Sequence, residues 1–247
     1  MRPYWVPFSR SHVFARMSSR RVIMCAAAMA LSMMLVPPAV GPANAATGAS
    51  PASSAHVYLL RGVLNIFSFG LDDIAEKLRA QGIPVTVANF VSWSSLASEA
   101  AAEYRSGRIK TIVLVGHSSG ATALPDMVDR LNELGTPVKL AIGLDSVFRT
   151  SLNGRVGKYI NFYIANGAGT PVAKGNRFQG SLENVNVENV PGVGHITIEK
   201  NQIMQQKVIS AIDAVVFNRP MEASAAQRRS SDAIAVRQNA GSSASRN

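Results

Sequence analysis

Residues 116–120, which read Gly-His-Ser-Ser-Gly, follow an apolar run at 111–115 and precede a helix-patterned segment at 120–133. A strand, the pattern G-x-S-x-G and a helix in this order are typical of a nucleophile elbow, the sharp turn that exposes the hydroxyl group of its middle serine. Small residues are needed at both ends because strand and helix pass close to the turn. The pattern predicts that Ser118 is a nucleophile.

A serine hydroxyl group attacks readily only when an imidazole takes its proton. The strongest candidate for this base is His195, which ends the sequence Pro-Gly-Val-Gly-His at 191–195, a loop between the last predicted strand and the last predicted helix. The other histidines are His12 in the N-terminal segment, His56 at the start of a predicted strand and His117 inside the elbow. We therefore expect His195 to be the base.

The imidazole needs a carboxylate on its other nitrogen to fix the tautomer and stabilise the cation. Asp145 follows the predicted strand at 139–144, whereas the next predicted strand has no carboxylate near its end. Asp126 and Asp129 lie on the helix after the elbow, where helical geometry keeps them away from the His195 loop. We expect Asp145 to be the acid, with capping of the following turn as its alternative use.

The elements that must position these residues alternate between strand and helix. The predicted strands span residues 56–60, 84–89, 111–115, 139–144, 158–165 and 185–190, and the predicted helices residues 71–81, 96–105, 120–133 and 203–215. This alternation predicts an α/β fold, a three-layer sandwich with a mostly parallel, doubly wound sheet. Ligands bind beyond the carboxyl ends of such strands, and Ser118, Asp145 and His195 each follow one.

On the elbow and on the chain order serine, acid, histidine, residues 56–217 resemble the α/β-hydrolase superfamily. The resemblance implies a minimal fold without a large cap domain and an open site, partly covered by the Gly-rich loop at 166–180. The position of Asp145 resembles that of thioesterase-type members, since many other members carry the acid one strand later.

The same resemblance implies an oxyanion hole built from two backbone N–H groups, those of Ser119 and Val63. The sequence Arg61-Gly62-Val63 stands where the family has a His-Gly-X turn. Arg61 would then either hold this loop through hydrogen bonds or contact an acidic group of the substrate.

The resemblance to lipases, esterases and thioesterases implies cleavage of a small-molecule or lipid acyl ester, or of a thioester, through an acyl-enzyme. Phe67, Trp93 and Phe148 lie near the loops after predicted strands and could line an acyl pocket. One alternative is a hydrolase of aminoacylated phospholipid, because residues 116–125 loosely resemble a virulence-factor-like family. A second alternative is a catalytically silent α/β-hydrolase that acts as a binding module.

No cofactor and no metal are expected, because the sequence has no paired-histidine motif and its single cysteine, Cys25, lies in the N-terminal apolar stretch. That stretch, at 22–36, follows five arginines and precedes Ala43-Asn44-Ala45, which indicates a signal peptide at 1–45. Arg20-Arg21 resembles a twin-arginine signal, so the export route stays open. We expect export to the periplasm or secretion; an uncleaved anchor is the alternative.

After the signal we predict a flexible leader at 46–55, the α/β-hydrolase domain at 56–218 and a disordered tail at 219–247. Loss of the signal removes five arginines and lowers the formal charge from +10 to +5, and the domain itself carries about +2. This surplus is too small to indicate nucleic-acid binding. The arginine-containing tail could contact an anionic membrane surface peripherally, and the oligomeric state stays open.

Overall fold

The computed structural model describes residues 50–63 and 69–219, all of which belong to one compact unit. The predicted signal peptide, residues 46–49 of the predicted leader, Phe67 and residues 220–247 lie outside the described residues. Residues 50–54 form a turn that contributes a buried Ala52 to the core, and Ala55 already belongs to the first strand. Structure therefore begins before the predicted domain boundary at His56.

Strands and helices alternate along the described residues, as the sequence predicts. The strands are β1 Ala55–Arg61, β2 Val85–Asn89, β3 Thr111–His117, β4 Val138–Leu144, β5 Ser151–Leu152, β6 Arg155–Tyr163, β7 Ala173–Lys174 and β8 Gln179–Asn186. The α-helices are α1 Gly70–Arg79, α2 Trp93–Arg105, α3 Ser119–Glu133 and α4 Gln202–Val216, and a 3-10 turn, Phe90–Ser92, precedes α2.

Six strands form one sheet in the order β2-β1-β3-β4-β6-β8, and each neighbouring pair is parallel. The chain moves outward from β1 to β2 and then returns to the other side of β1 to form β3. Strand order therefore reverses between β1 and β3. In parallel sheets this reversal opens a crevice at the carboxyl ends of the strands, where ligands bind.

Two apolar cores, one on each face of the sheet, hold helices against the strands. Side chains of a strand point alternately to opposite faces, so Leu59 joins the core under α1 and α4, while Leu60 joins the core under α2 and α3. Full burial of one such leucine contributes about 1.5–3 kcal/mol to folding. The architecture is α/β with a parallel sheet between two helical layers, as predicted.

Within the described residues, the connection from β4 to β6 and the connection from β6 to β8 contain no helix. Residues 145–154 and 164–178 instead pair with each other through β5 and β7. They also bury Leu152 and Val172 in the core on the α2 and α3 face. The Gly-rich loop expected at 166–180 is thus partly anchored, and it contains β7.

The last strand lies earlier than the predicted span of 185–190, because β8 covers Gln179–Asn186. It is an edge strand and most of its side chains are exposed, so it has little apolar pattern to detect. The apolar residues that suggested the later span include Val187 and Val190, which pack against the core from the loop after β8. The predicted span of the last strand was wrong because the buried apolar residues in this region lie in a loop.

Candidate active site

Strand β3 ends directly before Ser118, which occupies a strained turn. Its backbone angles are φ 57° and ψ −123°, a region that residues with a side chain rarely adopt. The Ser118 N–H donates to the carbonyl oxygen of Leu144 at 3.0 Å, which holds the turn against β4. Tertiary contacts therefore maintain a backbone conformation that costs energy locally.

Glycines at both ends of the elbow allow the close approach of helix and strand. A Cβ atom on Gly116 would lie 2.5 Å from the carbonyl carbon of Gly120, and one on Gly120 would lie 2.0 Å from the carbonyl oxygen of Leu60. Both distances are too short for any side chain. The prediction that small residues are needed at these positions is confirmed.

Asp145 lies at the carboxyl end of β4 and is completely buried. Its backbone also has a positive φ of 52°, and its N–H donates to the carbonyl oxygen of Phe162 at 2.8 Å. One carboxylate oxygen, Oδ1, accepts the backbone N–H of Ile164 at 2.9 Å. Gly169 packs so closely on this oxygen that a Cβ atom there would lie 1.8 Å from it. The Gly-rich loop therefore helps to bury the carboxylate.

His195 lies in the loop between β8 and α4 and bridges the other two residues. Its Nδ1 lies 2.7 Å from Oδ2 of Asp145, and its Nε2 lies 3.0 Å from Oγ of Ser118. The Thr197 hydroxyl group fixes the loop by donating to the carbonyl oxygen of Gly192 at 2.9 Å. The structure thus brings together the three residues that the sequence singles out, in the order carboxylate, imidazole, hydroxyl.

The two backbone groups predicted for an oxyanion hole belong to Ser119, which directly follows Ser118, and to Val63, whose neighbour Gly62 packs against Ser118. Ser119 begins α3, where the first N–H groups of a helix have no partner within the helix. Val63 follows Gly62, and a Cβ atom on Gly62 would lie 3.0 Å from Cβ of Ser118. The Arg61 side chain forms an ion pair with Asp72 of α1. This contact agrees with the structural use of Arg61 rather than with substrate binding.

The side chains predicted to line an acyl pocket have different surroundings. Phe148 follows Asp145 by three residues and is 66% exposed. Trp93 is half-buried and packs against the core under α2 and α3. The structure therefore shows Trp93 packing in the core, and a contact between Trp93 and a substrate stays a prediction.

Several exposed apolar side chains lie at the same end of the sheet as the candidate site. Among the described residues, the large apolar side chains that are exposed are Val63, Phe69, Val91, Phe148, Ile196 and Ile203. They lie in the segments that follow β1, β2 and β4, in the His195 loop and at the start of α4, all at the carboxyl end of the sheet. We call this set the apolar rim.

Two buried side chains, whose contacts sequence reasoning did not anticipate, lie behind His195. His117 Nε2 donates to the backbone carbonyl oxygen of His195 at 2.8 Å, and burial lowers the pKa of His117 to about 4. Glu199 is fully buried, and burial raises its pKa to about 7. The only sequence signal for Glu199 is its position four residues after His195, which is too common a spacing to be informative.

Two hydroxyl groups that the sequence did not single out connect the elbow helix to the Asp145 loop. Thr122 Oγ1 lies 2.9 Å from Oγ of Ser146, and it donates to the carbonyl oxygen of Ser118 at 3.2 Å. Ser146 directly follows Asp145 and is buried. These contacts fix Ser118 relative to Asp145.

A cleft of about 710 Å³ lies away from this site, near the amino ends of β4 and β6. Its polar lining groups bind one another: Asn132 donates to the carbonyl oxygen of Arg155 at 3.0 Å, and Arg155 donates to Gln179 at 3.0 Å. Asp129, also in its lining, is on α3 about 15 Å along the helix from Ser119. The cleft has no part in the serine, histidine and aspartate arrangement.

Within residues 50–63 and 69–219, no helix is both long and apolar enough to cross a membrane. Across the same residues, no three His, Cys, Asp or Glu side chains are grouped in a way that could hold a metal ion. Comparison of the chain with protein-family models, with curated proteins and with solved structures yields no match.

Proposed function

We propose that this protein is a serine hydrolase of the α/β-hydrolase type, which cleaves a carboxylic ester or thioester through an acyl-enzyme on Ser118. The observation that carries the proposal is the hydrogen-bonded chain from Asp145 through His195 to Ser118, with distances of 2.7 Å and 3.0 Å. This chain begins at a buried carboxylate and ends at a hydroxyl group in a strained turn. These are the requirements for an activated serine.

In the first half of the reaction, Nε2 of His195 takes the proton of Ser118 as Oγ bonds to the substrate carbonyl carbon. The bond from that carbon to the alcohol oxygen or thiol sulfur then breaks, and His195 gives its proton to the leaving group. In the second half, His195 takes a proton from water as the water oxygen bonds to the acyl carbon. His195 then returns this proton to Oγ as the bond between Oγ and that carbon breaks, which releases the acid. Asp145 stays ionised and stabilises the imidazolium in both halves.

Negative charge that develops on the carbonyl oxygen needs donors already in place. The N–H groups of Ser119 and Val63 are the candidates, since Gly62 packs against Ser118 and Ser119 begins α3. Removal of one such donor costs about 3–4 kcal/mol of transition-state stabilisation in well-measured cases. Both donors are backbone groups, so substitution of their side chains alone does not remove them.

The apolar rim supports a substrate with an apolar acyl or alcohol portion. Apolar side chains gathered around one polar reactive centre favour binding of a hydrophobic ligand. Phe148 is the member closest in sequence to Asp145, and Ile196 directly follows His195. A lipid or medium-chain ester fits this surface better than a highly charged substrate does. The apolar stretch at 22–36 and the five arginines before it support the further proposal that the enzyme acts outside the cytoplasm.

The proposal is tested with a fluorophosphonate probe, which phosphonylates activated serines, and with p-nitrophenyl esters of increasing acyl length. Full-length wild-type protein should gain one probe mass, which peptide mapping places on Ser118, and should hydrolyse the esters. Ser118→Ala should do neither. Ser98→Ala, which changes an exposed serine on α2, is the matched control and should retain both activities.

Two results would count against the proposal. Equal hydrolysis by wild-type and Ser118→Ala proteins would show that Ser118 is not the nucleophile. Absence of both labelling and hydrolysis in folded wild-type protein would favour the silent binding module. Labelling without ester hydrolysis would be consistent with a serine hydrolase of narrower substrate specificity, for example one that cleaves an aminoacylated phospholipid.

A further inference from the structure

A second buried carboxyl group, that of Glu199, lies behind the base. Its side chain has no solvent exposure, and within the described part of the chain its carboxyl oxygens make only weak contacts, with its own backbone N–H group and with Lys200. The nearest cationic or titratable groups are His117, with Nε2 at 3.6 Å from Oε2, and Lys200, with Nζ at 3.7 Å from Oε1. Burial of a carboxyl group in this state is costly, which calls for a reason.

The backbone prevents Glu199 from turning its side chain towards solvent at low cost. Its carbonyl oxygen accepts the buried side-chain amide of Gln205 at 2.9 Å. Gly70 packs against the same peptide group so closely that a Cβ atom there would lie 2.3 Å from the Glu199 carbonyl oxygen. The N-terminal ends of α1 and α4 therefore clamp this residue in place.

His117 connects Glu199 to the base. A carbonyl oxygen can only accept a hydrogen bond, so the contact of 2.8 Å between Nε2 of His117 and the His195 carbonyl oxygen means that Nε2 carries a proton. The ring centroids of His117 and His195 are 5.2 Å apart. A charge on Glu199 therefore faces a polarised N–H group, and beyond it the ring that takes the proton of Ser118.

We propose that Glu199 is a positioning residue, which holds the His195 loop through His117 and couples its own charge to protonation of the His195 ring. The catalytic consequence of this coupling rests on the proposed function. An ionised Glu199 favours the imidazolium form of His195, and a neutral Glu199 does not. The raised pKa of Glu199, about 7, means that this carboxyl group changes charge in the range in which a serine hydrolase base operates.

Other charged groups around the pair also bear on the coupling. They are Asp145 after β4, Asp73 and Lys77 of α1, which contact Gln205, and Lys200 of the His195 loop. Lys200 favours the ionised form of Glu199, as does a protonated His195. The protonation of Glu199 and that of His195 are therefore linked. When one group loses its proton, the other loses its own only at a higher pH.

The test is an NMR titration of histidine ring signals in the full-length protein, with the His195 signal assigned as the one lost in His195→Gln. In Glu199→Gln, the midpoint of the His195 titration should move to lower pH, and the curve should become single-step. Glu188→Gln is the matched control, because it neutralises a half-buried carboxyl group after β8 that lies outside the His117 and Glu199 pair. It should leave the midpoint unchanged.

Glu199→Met is a second variant, because an apolar side chain of similar length needs no hydrogen bond in a buried position. The same shift in either variant supports the proposal, and an unchanged midpoint in the folded variants overturns it. The acid limb of kcat/KM should move in the same direction. The NMR measurement needs no substrate, so a shift without any hydrolysis contradicts only the proposed function.

Discussion

Nδ1 of His195 lies 2.7 Å from Oδ2 of Asp145, a residue 50 positions away in the chain. The other carboxylate oxygen accepts the N–H of Ile164, so the carboxylate has both oxygens engaged. A buried carboxylate held in this way fixes the imidazole ring in one orientation and one tautomer, with the free nitrogen towards Ser118.

Asp145→Asn should lower kcat by about 10⁴-fold with little change in folding. The amide keeps the shape of the side chain but favours the wrong imidazole tautomer, so His195 no longer accepts the proton of Ser118. Ester hydrolysis and thermal unfolding measure the two effects. Asp126→Asn, on an exposed face of α3, is the control. If the activity of Asp145→Asn were within tenfold of wild type, the role of Asp145 would be to cap the following turn instead.

The principal site residues could be predicted because each stands in a local sequence context that reports its position. Ser118 lies in a strand, turn and helix pattern, Asp145 follows an apolar run, and His195 ends a Gly-containing loop before the last helix. Glu199 could not be predicted. Its burial results from contacts with Gly70 and Gln205, which local sequence does not reveal.

The same distinction applies to the fold. The central strand β3 contains a continuous apolar run at 112–115, and its start at Thr111 was predicted correctly, although the strand extends to His117. Strand β8 is defined by its pairing with β6 at the sheet edge, and its exposed side chains carry no periodic signal. The pairing of such a strand depends chiefly on backbone hydrogen bonds, which are largely independent of side-chain type.

Substitution at Phe148 should weaken the binding of long-chain esters but not that of short-chain esters. Phe148→Ser should raise KM for long-chain p-nitrophenyl esters by about tenfold, because an exposed aromatic ring contributes on the order of 1–2 kcal/mol to contact with an apolar chain. Acetyl ester hydrolysis should be unchanged. Phe148→Leu is the matched control and should retain most long-chain binding. Equal effects on all chain lengths would argue against a role of the apolar rim in substrate selection.

Gly120→Ala should destabilise the protein severely. The new methyl group would lie 2.0 Å from the carbonyl oxygen of Leu60, a backbone atom that cannot move without displacing β1. Gly107→Ala is the matched control: it adds strain at φ 75° but meets no atom within 4 Å. Urea unfolding of both variants should show a larger loss for Gly120→Ala, by several kcal/mol. Similar losses in the two variants would contradict the close packing of α3 on β1.

His117 and Glu199 should make opposite contributions to the dependence of stability on pH. The pKa of His117 falls from 6.5 to about 4 on folding, so the unfolded chain binds more protons between these values and stability rises with pH there. The pKa of Glu199 rises from 4.5 to about 7, so the folded chain binds more protons and stability falls with pH. Each contribution is on the order of 3 kcal/mol, and in wild-type protein the two largely cancel.

Single substitutions should expose each contribution separately. Relative to wild type, the free energy of unfolding of Glu199→Gln should increase as pH rises from about 4.5 to about 7, because the opposing loss is removed. Relative to wild type, that of His117→Gln should decrease as pH rises from about 4 to about 6.5. Urea unfolding across this range measures both differences. Curves that run parallel to the wild-type curve in both variants would mean that neither side chain changes its pKa on folding, and therefore that the pair is not buried in solution as the structure describes.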